Sequence, residues 1–374
     1  MNLNRFVGLI VMTILFVPAT YRGVDAQEIP LGKIEKVTGP VNVLRSDGRQ
    51  VRGSEGLFLF PGDQITTGKR GKVWFSLQKG RQFRLGEDAQ MSLDELSGPE
   101  IEDNQPVLRL VLGYLWSKIQ RIRQKPGMME VHTPTAVLGV RGTEFDSVVS
   151  LDGTSVITVD EGSVELDAED KKLVLTEHKM AQVEIAAKPT PPEPAIPKEK
   201  RDWRAWRKMR MKKFSHRLPQ LVPRLCATYQ RAENRFTRFT TKVQVASHRV
   251  TAAIEEVHKA RRGRDRQRFA QSVKQLKSQM PEFKRMVANF RRALNRAYVK
   301  GIISYRIEQF VIRHREHFSD QEIATIESNL AVIAQKRMQM KYRARQTIAR
   351  IRRTFKELKE LRIELTGVRK MQTL

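Results

Sequence analysis

The chain has 374 residues, 40% hydrophobic and 29% charged, with a formal net charge of +28. That length allows two ordinary domains, each with its own core, and the single cysteine, Cys226, excludes an intramolecular disulfide. The charge is divided unevenly: residues 1–200 carry 25 Lys plus Arg against 27 Asp plus Glu, and residues 201–374 carry 44 against 14. A field of that size attracts nucleic acid, lipid phosphate or acidic polysaccharide, unless the basic residues only solvate helix faces.

The N-terminus reads as an export signal over residues 1–26. Arg5 forms a short positive region, Phe6 to Phe16 is almost unbroken apolar sequence, and Val24-Asp25-Ala26 offers small residues at a cleavage site. The apolar run is short for a span, which needs about 20 residues; an uncleaved signal anchor is the alternative.

Residues 30–187 are rich in β-branched residues with turn glycines at short intervals. Gly39-Pro40, Ser46-Asp47-Gly48, Pro61-Gly62-Asp63 and Lys79-Gly80 read as turns. Between and after them come short strands, among them Lys72 to Leu77, with Val73, Phe75 and Leu77 on one face. Val107 to Leu112, Tyr114 to Ile119, Thr135 to Val140, Glu144 to Ser150, Thr154 to Val159, Ser163 to Leu166 and Lys172 to Thr176 follow. About a dozen short strands without a convincing helix predict an all-β roll or sandwich.

Residues 188–200, KPTPPEPAIPKEK, hold five prolines and read as a semi-rigid polyproline linker. From 201 to 374 the composition turns helical. Helices are expected near 202–216, 223–262, 264–279, 281–300, 303–317 and 320–366, with Pro219, Pro223, Pro281, Gly263 and Gly301 as breaks. Ser319 and Glu322 form a capping box. Ile323, Ile326, Leu330, Ile333 and Met340, then Ile348, Ile351, Phe355, Leu358 and Leu365, recur every three or four residues. That stripe predicts an antiparallel coiled-coil hairpin or bundle, with residues 223–262 as partner. The fold expected is therefore two-domain, all-β followed by all-α.

No catalytic constellation emerges. The seven histidines are scattered, and there is no H-E-x-x-H, G-x-S-x-G, Walker loop or post-strand G-x-G-x-x-G. Asp160 and Glu161 are adjacent in a strand, so they point to opposite faces, and they read as a solvated turn. No enzyme activity, metal or cofactor is expected.

The most informative string is Thr133-Pro134-Thr135-Ala136-Val137-Leu138-Gly139-Val140-Arg141-Gly142-Thr143-Glu144-Phe145. Glycines flanking Val140-Arg141 imply a bulge or tight bend, with Arg141 either paired to an internal carboxylate or free for an anionic partner. Together with Pro61-Gly62-Asp63-Gln64-Ile65-Thr66-Thr67-Gly68, Gly71 to Leu77, Phe83-Arg84-Leu85, Gly113-Tyr114-Leu115-Trp116 and Thr154 to Glu165, this string resembles the FecR family. That family contains the periplasmic domain of the ferric-citrate regulator and its secreted relatives. The resemblance covers about 155 residues and implies a β scaffold for envelope interactions. It departs from the regulator in two respects: five residues before the apolar run leave no anti-sigma segment, and the basic helical half has no counterpart.

Three kinds of partner follow as expectations. The first is an envelope protein on the β domain with an anionic envelope polymer or lipid head group on the helices. Candidate contacts are Arg141, the cluster Arg204, Arg207, Lys208, Arg210, Lys212 and Lys213, and the cluster Arg261, Arg262, Arg264, Arg266 and Arg268, since guanidinium grips phosphate with paired hydrogen bonds. Trp203 and Trp206 fit either a membrane interface or a core edge. The second is a sensory module reporting to a separate membrane partner. The third is sequence-neutral nucleic-acid binding, which an exported location, periplasmic or surface, disfavours. Self-association through the helices is a further expectation.

Overall fold

The structure is a computed structural model that describes residues 29–78, 80–97, 106–120, 129–168, 171–212 and 214–371, the side chains after Leu365 excepted. The expected export signal and Lys213 lie outside the described residues.

Seventeen strands are described. The first eight are β1 (Gly32–Thr38), β2 (Val41–Leu44), β3 (Gln50–Arg52), β4 (Phe58–Leu59), β5 (Gln64–Thr67), β6 (Lys72–Leu77), β7 (Arg81–Leu85) and β8 (Gln90–Leu93). They are followed by β9 (Val107–Ile119), β10 (Met129–His132), β11 (Val137–Val140), β12 (Thr143–Val149), β13 (Ser155–Glu161), β14 (Ser163–Ala168), β15 (Lys171–Thr176), β16 (Lys179–Val183) and β17 (Glu193–Pro194). They form two layers. One runs β4-β1-β6-β7-β9-β12-β13-β16-β17, the other β3-β2-β5-β8-β9-β10-β11-β14-β15.

The long strand β9 belongs to both layers. Its residues 107–112 pair with β8 and β10, and residues 113–119 pair with β7 and β12. The sequence separates these halves at Gly113, and the backbone explains why. Gly113 has φ +101°, and a Cβ there would lie 2.2 Å from the Ala89 Cβ, so only glycine turns the strand from one layer to the other. Alternate residues point between the layers, as in β6, where Val73, Phe75 and Leu77 are buried. With Ile34, Phe83, Leu115, Phe145 and Ile157 they fill a single core.

The helical half holds α1 (Trp203–Lys212), α2 (Phe214–Arg262), α3 (Arg266–Arg313) and α4 (Asp320–Met371). Four expected breaks are absent: Pro219 and Pro223 lie inside α2, and Pro281 and Gly301 inside α3. An interior proline costs about 3 kcal/mol. Around the first pair Phe214, Leu218, Val222 and Leu225 are buried against Ile303, Ile307, Ile326 and Leu330. At about 1.5–3 kcal/mol per buried side chain, that burial outweighs the loss. Gly263 does end α2, and Asp265 caps α3 by accepting from the Arg268 N–H at 2.9 Å. The expected capping box opens α4, with Ser319 N–H donating to Glu322 Oε2 at 2.9 Å.

The last helix does pack against α2, but in parallel. Lys336 reaches Glu233, Thr354 meets Ser247 and Glu364 meets Arg261, at separations of 103, 107 and 103 residues. Parallel contact follows because α3 runs back between them, bringing Phe290 to Phe236 and Phe283 to Phe355. The result is an up-down-up three-helix bundle about 75 Å long at 1.5 Å per residue.

The bundle is docked on the β domain. Leu96, from the segment after β8, enters the bundle core beside Phe236 and Phe290, and Ile185 enters beside Phe214 and Leu218. Residues 188–200 lie along the sheet: β17 pairs with β16, and Ala195 N–H donates to His178 O at 2.9 Å. Proline suits that position because an edge strand has no outer neighbour awaiting its missing N–H.

Candidate interaction surfaces

The Thr-Pro segment forms a tight turn before β11. Thr133 N–H donates to Ala136 O at 2.8 Å, and Thr133 Oγ1 accepts from Ala136 N–H at 3.0 Å. The buried Ser155 hydroxyl ties Thr133 and Thr135 together. The outward Pro134 carbonyl accepts from Lys300 Nζ of α3 at 2.9 Å, so α3 covers this turn. Eight residues on, Gly142 (φ +64°) makes the bend between β11 and β12. Arg141 stands exposed on it, with no ion pair among the described residues; the internal carboxylate partner is not there.

A second contact between the halves is ionic and largely buried. Arg109 of β9 is 1% exposed and donates to Asp94, to Glu95 Oε2 at 2.6 Å and to Asn295 Oδ1 of α3 at 2.6 Å. Its guanidinium carbon sits 4.5 Å from the Tyr298 ring centre. Arg291 of α3 closes the set by donating to Asp94 and to Ser97 Oγ at 2.9 Å. Burial raises the Asp94 carboxyl, but Arg291 and Arg109 overturn that and hold it below the usual carboxylate range. Nearby, His132 Nε2 lies 2.8 Å from Glu130, which also takes Arg292 at 2.6 Å. Burial favours neutral His132, and Glu130 falls to about 2 because His132 and Arg292 outweigh its own burial.

The third contact is α1, laid over the outer face of the β9–β12–β13 layer. Trp203 is buried on Val148 and Val156, with Trp206 edge-on at 6.5 Å; both indoles belong to a core edge. Arg201 bridges Asp146 at 3.0 Å and Asp160 at 2.7 Å. Asp160 is therefore 6% exposed and paired, a correction to the solvated turn expected from sequence. Asp160 is covered by a segment 41 residues away, whereas Glu161 on the opposite face stays exposed. Glu144, between Lys198 and Lys118, falls to about 2, the hydrogen bonds outweighing its desolvation.

These contacts divide the sequence-predicted cations. Arg207 donates to the Asp88 and Glu87 carbonyls at 3.2 and 3.0 Å, and Arg210 to Asp152, Glu184 and Thr154. Both hold α1 to the β domain. Arg204 reaches Glu87 at 3.2 Å with its side chain largely exposed, while Lys208 and Lys212 are exposed. At the far end of the bundle, the turn between α2 and α3 exposes all five arginines. Arg261 pairs with Glu364 and Arg268 with Glu256. Arg262, Arg264 and Arg266 have no ion pair among the described residues.

Two features escape a reading of clusters along the chain. Arg337, Lys341 and Arg345 stack one turn apart on α4. Partial desolvation, then repulsion from Arg345 and Arg337, lowers the Lys341 pKa. Around α1, a cleft of about 520 Å³ is lined by Lys72, Arg84, Tyr114, Trp116, Arg201 and Arg207, among others. Arg84 lies 5.5 Å from the Tyr114 ring centre and 5.8 Å from that of Trp116, and donates to Tyr114 Oη at 2.9 Å. Tyr114 in turn donates to Asp146 at 2.8 Å, and its burial, then the Asp146 charge, raise its pKa. No catalytic pair of nucleophile and base is assembled among these described residues.

Residues 63–165 match the family model described as FecR protein. No curated protein matches the chain. Two crystal structures of a protein from Parabacteroides distasonis described as an anti-sigma factor align over 35% of this chain at 16% identity, with TM-scores of 0.30 and 0.31. The chain spans 59% of the length of that protein. A cell surface anchoring domain aligns over 17% of this chain and 82% of its own at 27% identity, with a TM-score of 0.16. At these scores the three superpositions carry no argument about function. Among the described residues no helix is long and apolar enough to cross a membrane.

Proposed function

We propose, from the premise that residues 63–165 are a FecR domain, that this chain is an exported, non-catalytic interaction protein of the cell envelope. The β domain, residues 30–187, serves as scaffold for a protein partner. The helical domain, residues 201–374, carried past the segment 188–200, contacts an anionic envelope polymer or lipid head group. The observation behind this reading is the exposed cation set of the bundle: Arg262, Arg264 and Arg266 at its tip have no carboxylate partner among the described residues. Unpaired guanidiniums on a rigid helix end repel one another and are relieved by phosphate or carboxylate.

The test is crosslinking of the full-length protein in cells, followed by identification of what is attached. Anionic lipid or wall polymer is expected, and its loss when Arg262, Arg264 and Arg266 are all changed to Gln assigns that contact to the tip. Recovery of a single protein partner without any polymer overturns the polymer contact. It favours the second reading, a sensory module reporting to a separate membrane protein, which the FecR match also supports. Recovery of nucleic acid alone overturns the envelope reading altogether.

A further inference from the structure

Two of the seven histidines, His314 and His317, meet where α3 hands over to α4. His314 is the C-cap of α3, its N–H donating to Phe310 O at 3.1 Å and Val311 O at 3.2 Å. Its ring packs 4.5 Å from that of Phe310. One short turn later His317 stacks on it, ring centres 5.7 Å apart and planes 6° from parallel. Glu316 lies between them in sequence and faces both in space. Its Oε1 is 3.8 Å from His314 Nδ1 and 3.8 Å from His317 Nε2, beyond hydrogen-bonding range. All three ligand atoms lie within 4.8 Å of one another.

We propose that His314, Glu316 and His317 form a binding site for one divalent transition-metal ion of the zinc type. Two imidazole nitrogens and one carboxylate oxygen are a donor set that suits Zn2+ and disfavours Mg2+ and Ca2+, which seek oxygen alone. A tetrahedral ion with bonds of about 2.0–2.2 Å places its ligands about 3.3–3.6 Å apart. The three groups close to that spacing by side-chain rotation, for which their exposures of 42%, 65% and 53% leave room. Water completes the coordination.

Local charge supports this assignment independently of the distances. In a chain of net charge +28, Glu316 has no lysine or arginine within ion-pair distance among the described residues. Its neighbour Arg315 turns away to Glu327 at 2.5 Å. The carboxylate therefore faces only imidazoles, while the α3 C-cap and the Ser319–Glu322 capping box hold the backbone on either side. A bound ion would pin the α3–α4 turn and stabilise the bundle by mass action. This inference does not depend on the envelope reading.

The experiment is titration of the metal-free full-length protein with ZnCl2 against a chromogenic chelator, paired with thermal unfolding. One equivalent of Zn2+ is expected to bind and to raise the melting temperature, while MgCl2 and CaCl2 leave it unchanged. His314→Ala, His317→Ala and Glu316→Gln should each weaken Zn2+ binding at least tenfold without changing the circular dichroism of the metal-free protein. Absence of stoichiometric binding overturns the proposal. So does binding that survives unchanged in the His314→Ala/His317→Ala double variant, or in Glu316→Gln if the double variant fails to fold.

Discussion

A Cβ placed on Gly301 of α3 would lie 3.2 Å from Cδ of Arg337 on α4. The Tyr229 ring of α2 is almost as close, at 3.3 Å, so the three helices meet at this glycine. Arg337 occupies a seam position of the α4 heptad, lays its stem over Gly301 and donates to the Gly301 carbonyl at 2.9 Å. Its guanidinium carbon ends 5.2 Å from the Tyr305 ring centre. Gly301→Ala gains about 1 kcal/mol of helix propensity and loses a similar amount to crowding, so its stability should change little. Gly301→Leu overfills the crossing and should cost about 1–3 kcal/mol or more. Urea unfolding of the two variants checks this; equal stability of both would show that the crossing is loosely packed.

Asp94 is the shared anion of two buried guanidiniums from different halves of the chain, Arg109 and Arg291. Asp94→Asn removes the carboxylate that the two share and leaves Arg109 with the partly exposed Glu95. Breaking a buried pair on one side costs about 3–5 kcal/mol. The expected result is a lower urea midpoint. An unchanged midpoint would mean that water reaches this interface.

Stability should fall in two stages on acidification. Burial depresses the His132 pKa, so its neutral form stabilises the fold, and that contribution declines as pH drops below the ordinary histidine value near 6.5. Glu130 and Glu144 are depressed to about 2 and Asp94 is depressed too. Carboxylates with lowered folded pKa contribute stability present above their unfolded values of about 4 and lost as pH falls toward 2. Melting temperature measured between pH 7 and pH 2 should show both declines, and His132→Gln should remove the upper one.

The β and helical halves were both legible in the sequence because each carries its own periodicity: alternation in Lys72 to Leu77, three-four spacing in Ile323 to Leu365. The helix-end chemistry of Ser319 and Glu322 was equally plain. The illegible parts depend on contacts made far along the chain. Pro219, Pro223 and Gly301 read as breaks because propensity is local, whereas burial around Phe214 and the crossing at Arg337 are tertiary. The same cause hid the fate of Arg207 and Arg210, whose acceptors lie 119 and 58 residues away. Strands of two to five residues, such as β4, β8 and β17, hold too few residues for alternation to register. His314 and His317 stand three apart, but Glu316 lies off that face in a regular helix, and only the short turn over Arg315–His317 brings all three together.

The two basic clusters should separate cleanly by mutation. Arg207 and Arg210 are held by the β domain, so changing both to Gln should lower stability and loosen α1, with little change in affinity for an anionic surface. Arg262, Arg264 and Arg266 are exposed, and changing all three to Gln should leave the unfolding free energy within about 0.5 kcal/mol. If they contact phosphate, the triple variant should bind vesicles of anionic lipid more weakly, and its dependence on salt should be shallower, because fewer counterions are released. Co-sedimentation with anionic and with zwitterionic vesicles at two salt concentrations measures both effects. Arg337, Lys341 and Arg345 supply the comparison. If the α4 stripe rather than the tip meets the surface, Lys341→Gln with Arg345→Gln will weaken sedimentation and the tip variant will not. Equal sedimentation of all variants with anionic vesicles would remove lipid from the proposed partners and leave the polymer.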